Sequence, residues 1–201
     1  MTDSDGRPSI VYWLGNSVYL NVTNRCSNNC IFCVRKFKDG LDGFKLKLQK
    51  EPTAKEIIEE LQKVLPTKNW DEIVFCGFGE PLERLDLVLE VTKWIKMNQP
   101  TIVRVNTNGQ GYLLNKGRDV VAELKAAGVD KINVSLNAPD EQTYNLICKP
   151  VLDGAYESVL EFIKKAKHVM ETEATAVTVP ELEVTKVKEM AQKIGVKFRA
   201  R

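Results

Sequence analysis

Tyr19-Leu20-Asn21-Val22-Thr23-Asn24-Arg25-Cys26-Ser27-Asn28-Asn29-Cys30-Ile31-Phe32-Cys33 runs from a strand-forming segment straight into three thiols spaced C-x3-C-x2-C. Thiolates are the usual ligands of iron–sulfur clusters. Three of them on one short loop can hold three corners of a 4Fe-4S cubane and leave the fourth iron open. The same thiols suit zinc, which asks for a fourth ligand; Cys76, Cys148 and the single histidine, His168, are the candidates for it. A disulfide framework fits poorly, because five cysteines is an odd number and the opening Met1-Thr2-Asp3-Ser4-Asp5 is polar and acidic rather than a secretory leader. A reducing cytoplasm is the expected compartment.

Upstream of the loop, Ile10–Leu14 and Ser17–Val22 are rich in β-branched and aromatic residues and are separated by Gly15-Asn16, a hairpin turn signal. Downstream, Lys36–Lys50 carries two glycines, interleaved aromatics and surplus lysine. It reads either as an insertion facing an anionic substrate or as a solvated surface strand with Phe44, Leu46 and Leu48 alternating. From Thr53 the period turns helical, with Thr53 and Glu56 as a capping box and Ile57, Ile58, Leu61, Val64 and Leu65 on one face. The unit then repeats: strands are predicted at 72–76, 102–106, 131–136, 174–179 and 196–199. Helices fall between them at about 82–97, 118–127, 154–170 and 183–194, with a short one opened by Asp140.

Strands alternating with helices imply a parallel sheet with right-handed crossovers. Six strands are too few for an eight-fold barrel, so the expected fold is α/β, an open partial (β/α)6 TIM-like barrel with an N-terminal β-hairpin. The 201 residues, 43% hydrophobic and 28% charged, suit one domain over 1–201, with 1–16 as a hairpin extension and 36–52 as an insertion. No apolar run approaches the ~20 residues that span a bilayer. The net charge of +2 does not by itself point to nucleic acid.

In barrels of this kind reactive groups gather at the C-terminal ends of the strands. Each predicted strand here ends in a chemically meaningful set. The first ends at Cys26–Cys33, the second at Cys76-Gly77-Phe78-Gly79-Glu80-Pro81, the third at Asn106-Thr107-Asn108-Gly109 and the fourth at Asn133-Val134-Ser135-Leu136-Asn137-Ala138. Taken singly, each is also an ordinary turn or helix cap.

Together they resemble the radical S-adenosylmethionine (SAM) superfamily over most of the chain. Phe32 precedes the third cysteine as an aromatic often does there, Gly77–Pro81 is similar to G-G-E-P with Phe78 for the second glycine, and 106–109 is similar to T-N-G. The resemblance implies a 4Fe-4S cluster on Cys26, Cys30 and Cys33, whose open iron is chelated by SAM and whose electron cleaves it to a 5′-deoxyadenosyl radical that takes hydrogen from an unknown substrate. It also implies that Phe32, Gly77, Phe78, Gly79 and Glu80 serve the cluster and the amino-acid end of SAM, that Thr107, Asn108, Ser135 and Asn137 serve its polar remainder, and that Val177 or Val179 meets adenine. The segment 175–180 departs from the family by lacking glycines. An electron donor of flavodoxin or ferredoxin type is implied as a partner. Gly15-Asn16, Glu51-Pro52-Thr53 and Ile147-Cys148-Lys149-Pro150 resemble the small TatD-associated members, which suggests association with a TatD-type nuclease.

Cys76 reads as a small buried hydrophobe. Cys148, placed in a loop before Pro150, reads as a catalytic hydrogen-atom donor or redox thiol, or as a plain free cysteine. Two rival functions stand beside the first: a glycyl-radical activating enzyme, and a zinc or iron–sulfur module that contacts nucleic acid through Lys36, Lys38, Lys45 and Lys47. A six-stranded arc also leaves a lateral opening, for which the insertion, a macromolecular substrate or a partner subunit would be the cover.

Overall fold

Gly15, at φ 59°, turns the chain between β1 (Val11–Leu14) and β2 (Ser17–Leu20), which pair antiparallel with Val11 opposite Leu20. The computed structural model describes residues 8–201, so Met1–Asp5 and the start of the 1–16 extension lie outside the described residues. After the cysteine loop the chain makes a small ribbon, β3 (Gly40–Leu41) against β4 (Phe44–Lys45). Helix α1 (Ala54–Val64) follows, capped as its sequence asks: Thr53 Oγ1 accepts from the Glu56 amide, and the Glu56 carboxylate accepts from the Thr53 amide.

The repeat continues through β5 (Glu72–Phe75), α2 (Leu85–Asn98), β6 (Ile102–Thr107), α3 (Gly111–Leu114), α4 (Val120–Ala127), β7 (Lys131–Ser135), α5 (Glu141–Cys148), α6 (Ala155–Ala166), β8 (Glu171–Ala176), α7 (Val184–Ile194) and β9 (Lys197–Ala200). The main sheet runs β1-β2-β5-β6-β7-β8-β9, every neighbouring pair from β2 onward is parallel, and the sheet is not closed. Among the described residues no helix is long and apolar enough to cross a membrane.

Four details differ from expectation. Strand β8 lies three residues earlier than the 174–179 reading, because its register is fixed by β7, with Lys131 opposite Glu171 and Ser135 opposite Thr175; the valine-rich run that suggested a strand is rim loop. The short helix α3 lies between the strand at 102–106 and the helix at 118–127, where no element was predicted. Cys148 is not in a loop but is the last residue of α5: Asp140 caps that helix by accepting from the Thr143 amide, and Lys149 ends it in the left-handed region at φ 46°. The insertion is no solvated strand, because Phe44, Leu46 and Leu48 are all buried. Leu46 is fully so, and the insertion packs on Tyr12 and Phe78.

The two faces of the arc differ in chemistry. Val18, Leu20, Ile73, Phe75, Val103, Val105, Ile132 and Val134 bury themselves under the helices, where each such side chain stabilises the fold by about 1.5–3 kcal/mol. The alternate residues Tyr19, Arg104, Asn106, Asn133 and Ser135 line cavities on the concave face. Strand periodicity thus gives the core to one face and leaves the other free for polar ligands.

Candidate functional site

The cysteine loop leaves β2 and lies against the end of α5. Asn29 N donates to the carbonyls of Cys148 and Lys149 (3.1 Å each), Ile31 N to Ile147 O (2.9 Å) and Val151 N to Ser27 O (2.9 Å). Its first half is pinned by charge: Arg84 Nη1 donates to Val22 O (3.0 Å), and Glu51 accepts from Thr23 Oγ1 and from Arg25 Nε (2.8 Å). Beneath it a buried polar network holds Asn28, whose Nδ2 donates to Tyr144 Oη (3.0 Å) and whose Oδ1 accepts from Gln110 Nε2 (2.7 Å). Gln110 and Tyr144 escaped the sequence reading, because lone polar residues at a helix start and in a helix carry no pattern.

Each thiol of the loop meets a donor. Asn28 N points at Cys26 Sγ (3.5 Å), with Asn108 Nδ2 behind it at 3.9 Å, and Arg35 Nε donates to Cys33 Sγ (3.2 Å). A hydrogen bond with the Cys148 thiol holds Cys30 below the usual thiol range. Burial, with the Glu80 carboxylate nearby, pushes Cys26 up to about 12. Donors to sulfur are what cluster thiolates use, so this donor set fits a thiolate-held group. Among the described residues no three His, Cys, Asp or Glu side chains converge on the seat of a single ion. A cavity of about 260 Å³ adjoins Cys33, Arg35, Asn24 and Phe78. Phe32 packs on the main core.

Gly77–Glu80 sits beside this loop for a steric reason. A Cβ on Gly77 would come within 2.1 Å of Asn21 Oδ1, and one on Gly79 within 2.4 Å of the carbonyls of both Thr23 and Arg25. The glycines therefore let the second strand end dock on the first, and the Glu80 amide seals the contact by donating to Arg25 O (2.8 Å). The Glu80 side chain is buried and accepts from Leu82 N (3.0 Å), Thr107 Oγ1 (2.7 Å) and Asn108 N (2.6 Å). Burial outweighs those donors and pushes its carboxyl up to about 7.

Thr107, Asn108 and Asn137 are likewise engaged within the rim. Thr107 Oγ1 accepts from Gly109 N (3.0 Å), and Asn108 Nδ2 donates to Ser27 Oγ (2.9 Å). Asn137, at φ 58°, accepts from Val177 N (3.3 Å), while its amide points at Cys148 Sγ (3.6 Å). Cys148 is fully buried, with its thiol raised by its bond to Cys30 and by burial. Ser135 faces the concave side, where its Oγ accepts from Arg201 Nη2 (3.1 Å). The structure thus brings the cysteine loop, 77–80, 106–110 and 137 together at one rim, and places Ser135 in the trough below.

The family model described as "Radical SAM superfamily" matches residues 20–194. A GTP 3′,8-cyclase of Peptoclostridium acidaminophilum is 32% identical over 157 residues, covering 77% of this chain and 43% of that protein. A probable GTP 3′,8-cyclase of Saccharolobus islandicus is 32% identical over 166 residues, covering 83% and 46%. The chain spans less than half the length of these curated relatives. Among solved structures, native anSMEcpe with bound AdoMet aligns over 90% of this chain and 51% of its own, with a TM-score of 0.66 at 18% identity. TYW1 with a lysine-pyruvate adduct aligns over 92% and 65%, with a TM-score of 0.64 at 18% identity.

Proposed function

We propose, for a chain that belongs to the radical SAM superfamily, that Cys26, Cys30 and Cys33 hold a 4Fe-4S cluster which, once reduced, cleaves SAM to a 5′-deoxyadenosyl radical for hydrogen abstraction. The members of that superfamily use such a cluster and SAM. The observation that carries the reading for this chain is the docking of the thiol loop onto the strand ends 77–80 and 106–110, locked by the buried Glu80.

Within this reading the chain's own residues do distinct work. Arg35 and Asn28 donate to the sulfurs of Cys33 and Cys26, and the Cys148 thiol lowers Cys30, so the chain orients the loop sulfurs from outside. Glu80, Thr107 and Asn108 hold the rim in register, so that backbone groups of 77–79 are presented to the amino-acid end of SAM. Ser135 and Asn137 serve its polar remainder. The fully buried Cys148 supports the loop rather than meeting substrate. The electron would come from a small carrier of flavodoxin or ferredoxin type, in a reducing cytoplasm.

The substrate is the finer question. Likeness of Glu51-Pro52-Thr53 and Ile147–Pro150 to TatD-associated members supports that subgroup and a TatD-type nuclease as functional partner. A second reading, chemistry on a purine nucleotide, is favoured by the relatives named as GTP 3′,8-cyclases; more than half of each lies outside the match. The test is anaerobic incubation of the reconstituted chain with dithionite and SAM. Formation of 5′-deoxyadenosine and methionine, absent in Cys30→Ala, is the expected outcome, and no cleavage by a protein with full iron would overturn the reading.

A further inference from the structure

The concave face of the arc is a ladder of charges, and nearly every cation in it is already spoken for. Arg104 forks the Glu72 carboxylate (2.5 and 2.9 Å) and gives a further N–H to Asn106 Oδ1 (2.7 Å). Arg199 Nε donates to Glu173 (2.9 Å). With its amide oxygen turned toward the guanidiniums, Asn133 accepts from both Arg199 Nη2 (2.9 Å) and Arg104 Nη1 (3.0 Å). Lys131 and Lys197 share Glu171 (3.4 and 3.2 Å).

Arg201 is different. It prolongs the β8–β9 ladder, its amide donating to Ala176 O (2.8 Å) and its carbonyl accepting from Thr178 N (2.9 Å), so its backbone is fixed at the rim end of the sheet. Two residues beyond Arg199, it faces the same side, and its side chain crosses β8 to Ser135 Oγ on β7. Among the described residues no carboxylate lies within ion-pair distance of it. A guanidinium carries five N–H donors, and the Ser135 bond uses one.

The cavity these groups surround, about 200 Å³, is lined by Arg104, Arg199 and Arg201 with Asn106, Asn133 and Ser135 among its polar residues, and no carboxylate lines it. Glu72 and Glu173 belong to the adjoining lower cavity. Arg104 and Arg199 are paired with Glu72 and Glu173, and Arg201 adds a guanidinium with no carboxylate within ion-pair distance, so the cavity carries a surplus of positive charge that favours an anion. Asn106, which lines the cavity, directly precedes Thr107, which bonds Glu80, so the cavity adjoins the rim site.

We infer that Arg201, through the N–H donors that its bond to Ser135 leaves free, seats an oxyanion of the substrate, a phosphate or a carboxylate, in the trough below the rim. The inference rests on the enzyme reading above and adds a substrate class to it: an anionic molecule whose charged end points down the trough while the rest stays near the rim. Arg201 is a binding residue in this account. Its planar fork suits either group, whereas an ammonium would meet it as a point charge.

The experiment is calorimetric titration of the reconstituted full chain with inorganic phosphate and, separately, with acetate, each repeated on Arg201→Gln and Arg201→Lys, with SAM titrated into all three proteins. Arg201 lies at the exposed end of an edge strand, and circular dichroism confirms that the variants fold. Expected is millimolar or tighter binding of at least one ion, weakened 10-fold or more by Gln and less by Lys, with SAM affinity changed less than 2-fold. The ion that binds identifies the substrate's group. Equal ion binding in wild type and Arg201→Gln, or none in either, would overturn the inference. So would a loss confined to SAM, which would assign the cation to the cofactor's own carboxylate. Formation of 5′-deoxyadenosine is scored in parallel, so failure of the anion site is distinguishable from failure of the enzyme reading.

Discussion

Glu80 carries the largest burden of any single side chain at the rim. Its carboxyl is buried, joins two strand ends through three donors, and ionises near 7 instead of the ordinary 4.5. The sign follows from proton counting. Between about 4.5 and 7 the folded chain keeps a proton that the unfolded chain has released, so this residue's contribution to stability falls as pH rises through that window and is fully unfavourable above it. One proton limits the slope to about 1.4 kcal/mol per pH unit. Glu80→Gln should remove the slope, seen as the difference between wild-type and variant denaturation curves from pH 4.5 to 7.5. It should also destabilise the chain by about 1–3 kcal/mol at pH 7, because an amide NH2 must face either the Asn108 or the Leu82 N–H. Equal pH slopes in the two proteins would show that the carboxyl ionises normally. Glu80 was legible in the sequence as part of a glycine-bearing turn, but its burial and its donors were not, since Thr107 and Asn108 stand far along the chain.

At the scale of elements, the strand-to-loop joint at 77–80 is a contact of backbone on backbone. Gly79→Ala would set a methyl against two carbonyls of the cluster loop, and overpacking of that kind costs about 1–3 kcal/mol. The expected outcome is reduced iron per chain after reconstitution, because the displaced segment runs into Cys26; full iron loading would demote the joint. The insertion behaves as a wall. Leu46 is fully buried, Asn21 Nδ2 donates to its carbonyl (2.8 Å), and Asn24 brackets Leu48 with two bonds (2.7 and 3.1 Å). Leu46→Ala should cost about 2–5 kcal/mol by chemical denaturation, while Lys45→Ala, on an exposed position, stays within about 0.5 kcal/mol. Most elements were readable from period and punctuation: Thr53, Gly128 and Gly195 cap or stop helices where expected. The fate of Phe44-Lys45-Leu46-Lys47-Leu48 was not, because alternation says that one face is covered and not what covers it. The position of β8 was set by its neighbour rather than by its own valines.

At the scale of the molecule, a sheet whose outer face holds the core and whose inner face holds ion pairs can stay open at one side and remain stable, since the inner face contributes little burial. Its open trough leads to the rim where the thiol loop docks, and this joins the anion seat at Arg201 to the chemistry above it. The insertion, packed on Tyr12 and Phe78, is part of the wall. The central claim is that three loop thiolates hold a cluster with one position left for SAM. Low-temperature electron paramagnetic resonance of the dithionite-reduced, anaerobically reconstituted chain, with and without SAM, tests it most directly. The account predicts a reduced-cluster signal that SAM reshapes, lost in Cys26→Ala, Cys30→Ala and Cys33→Ala and kept in Cys76→Ala and Cys148→Ala; a signal indifferent to SAM, or one that survives loss of a loop thiol, would contradict it.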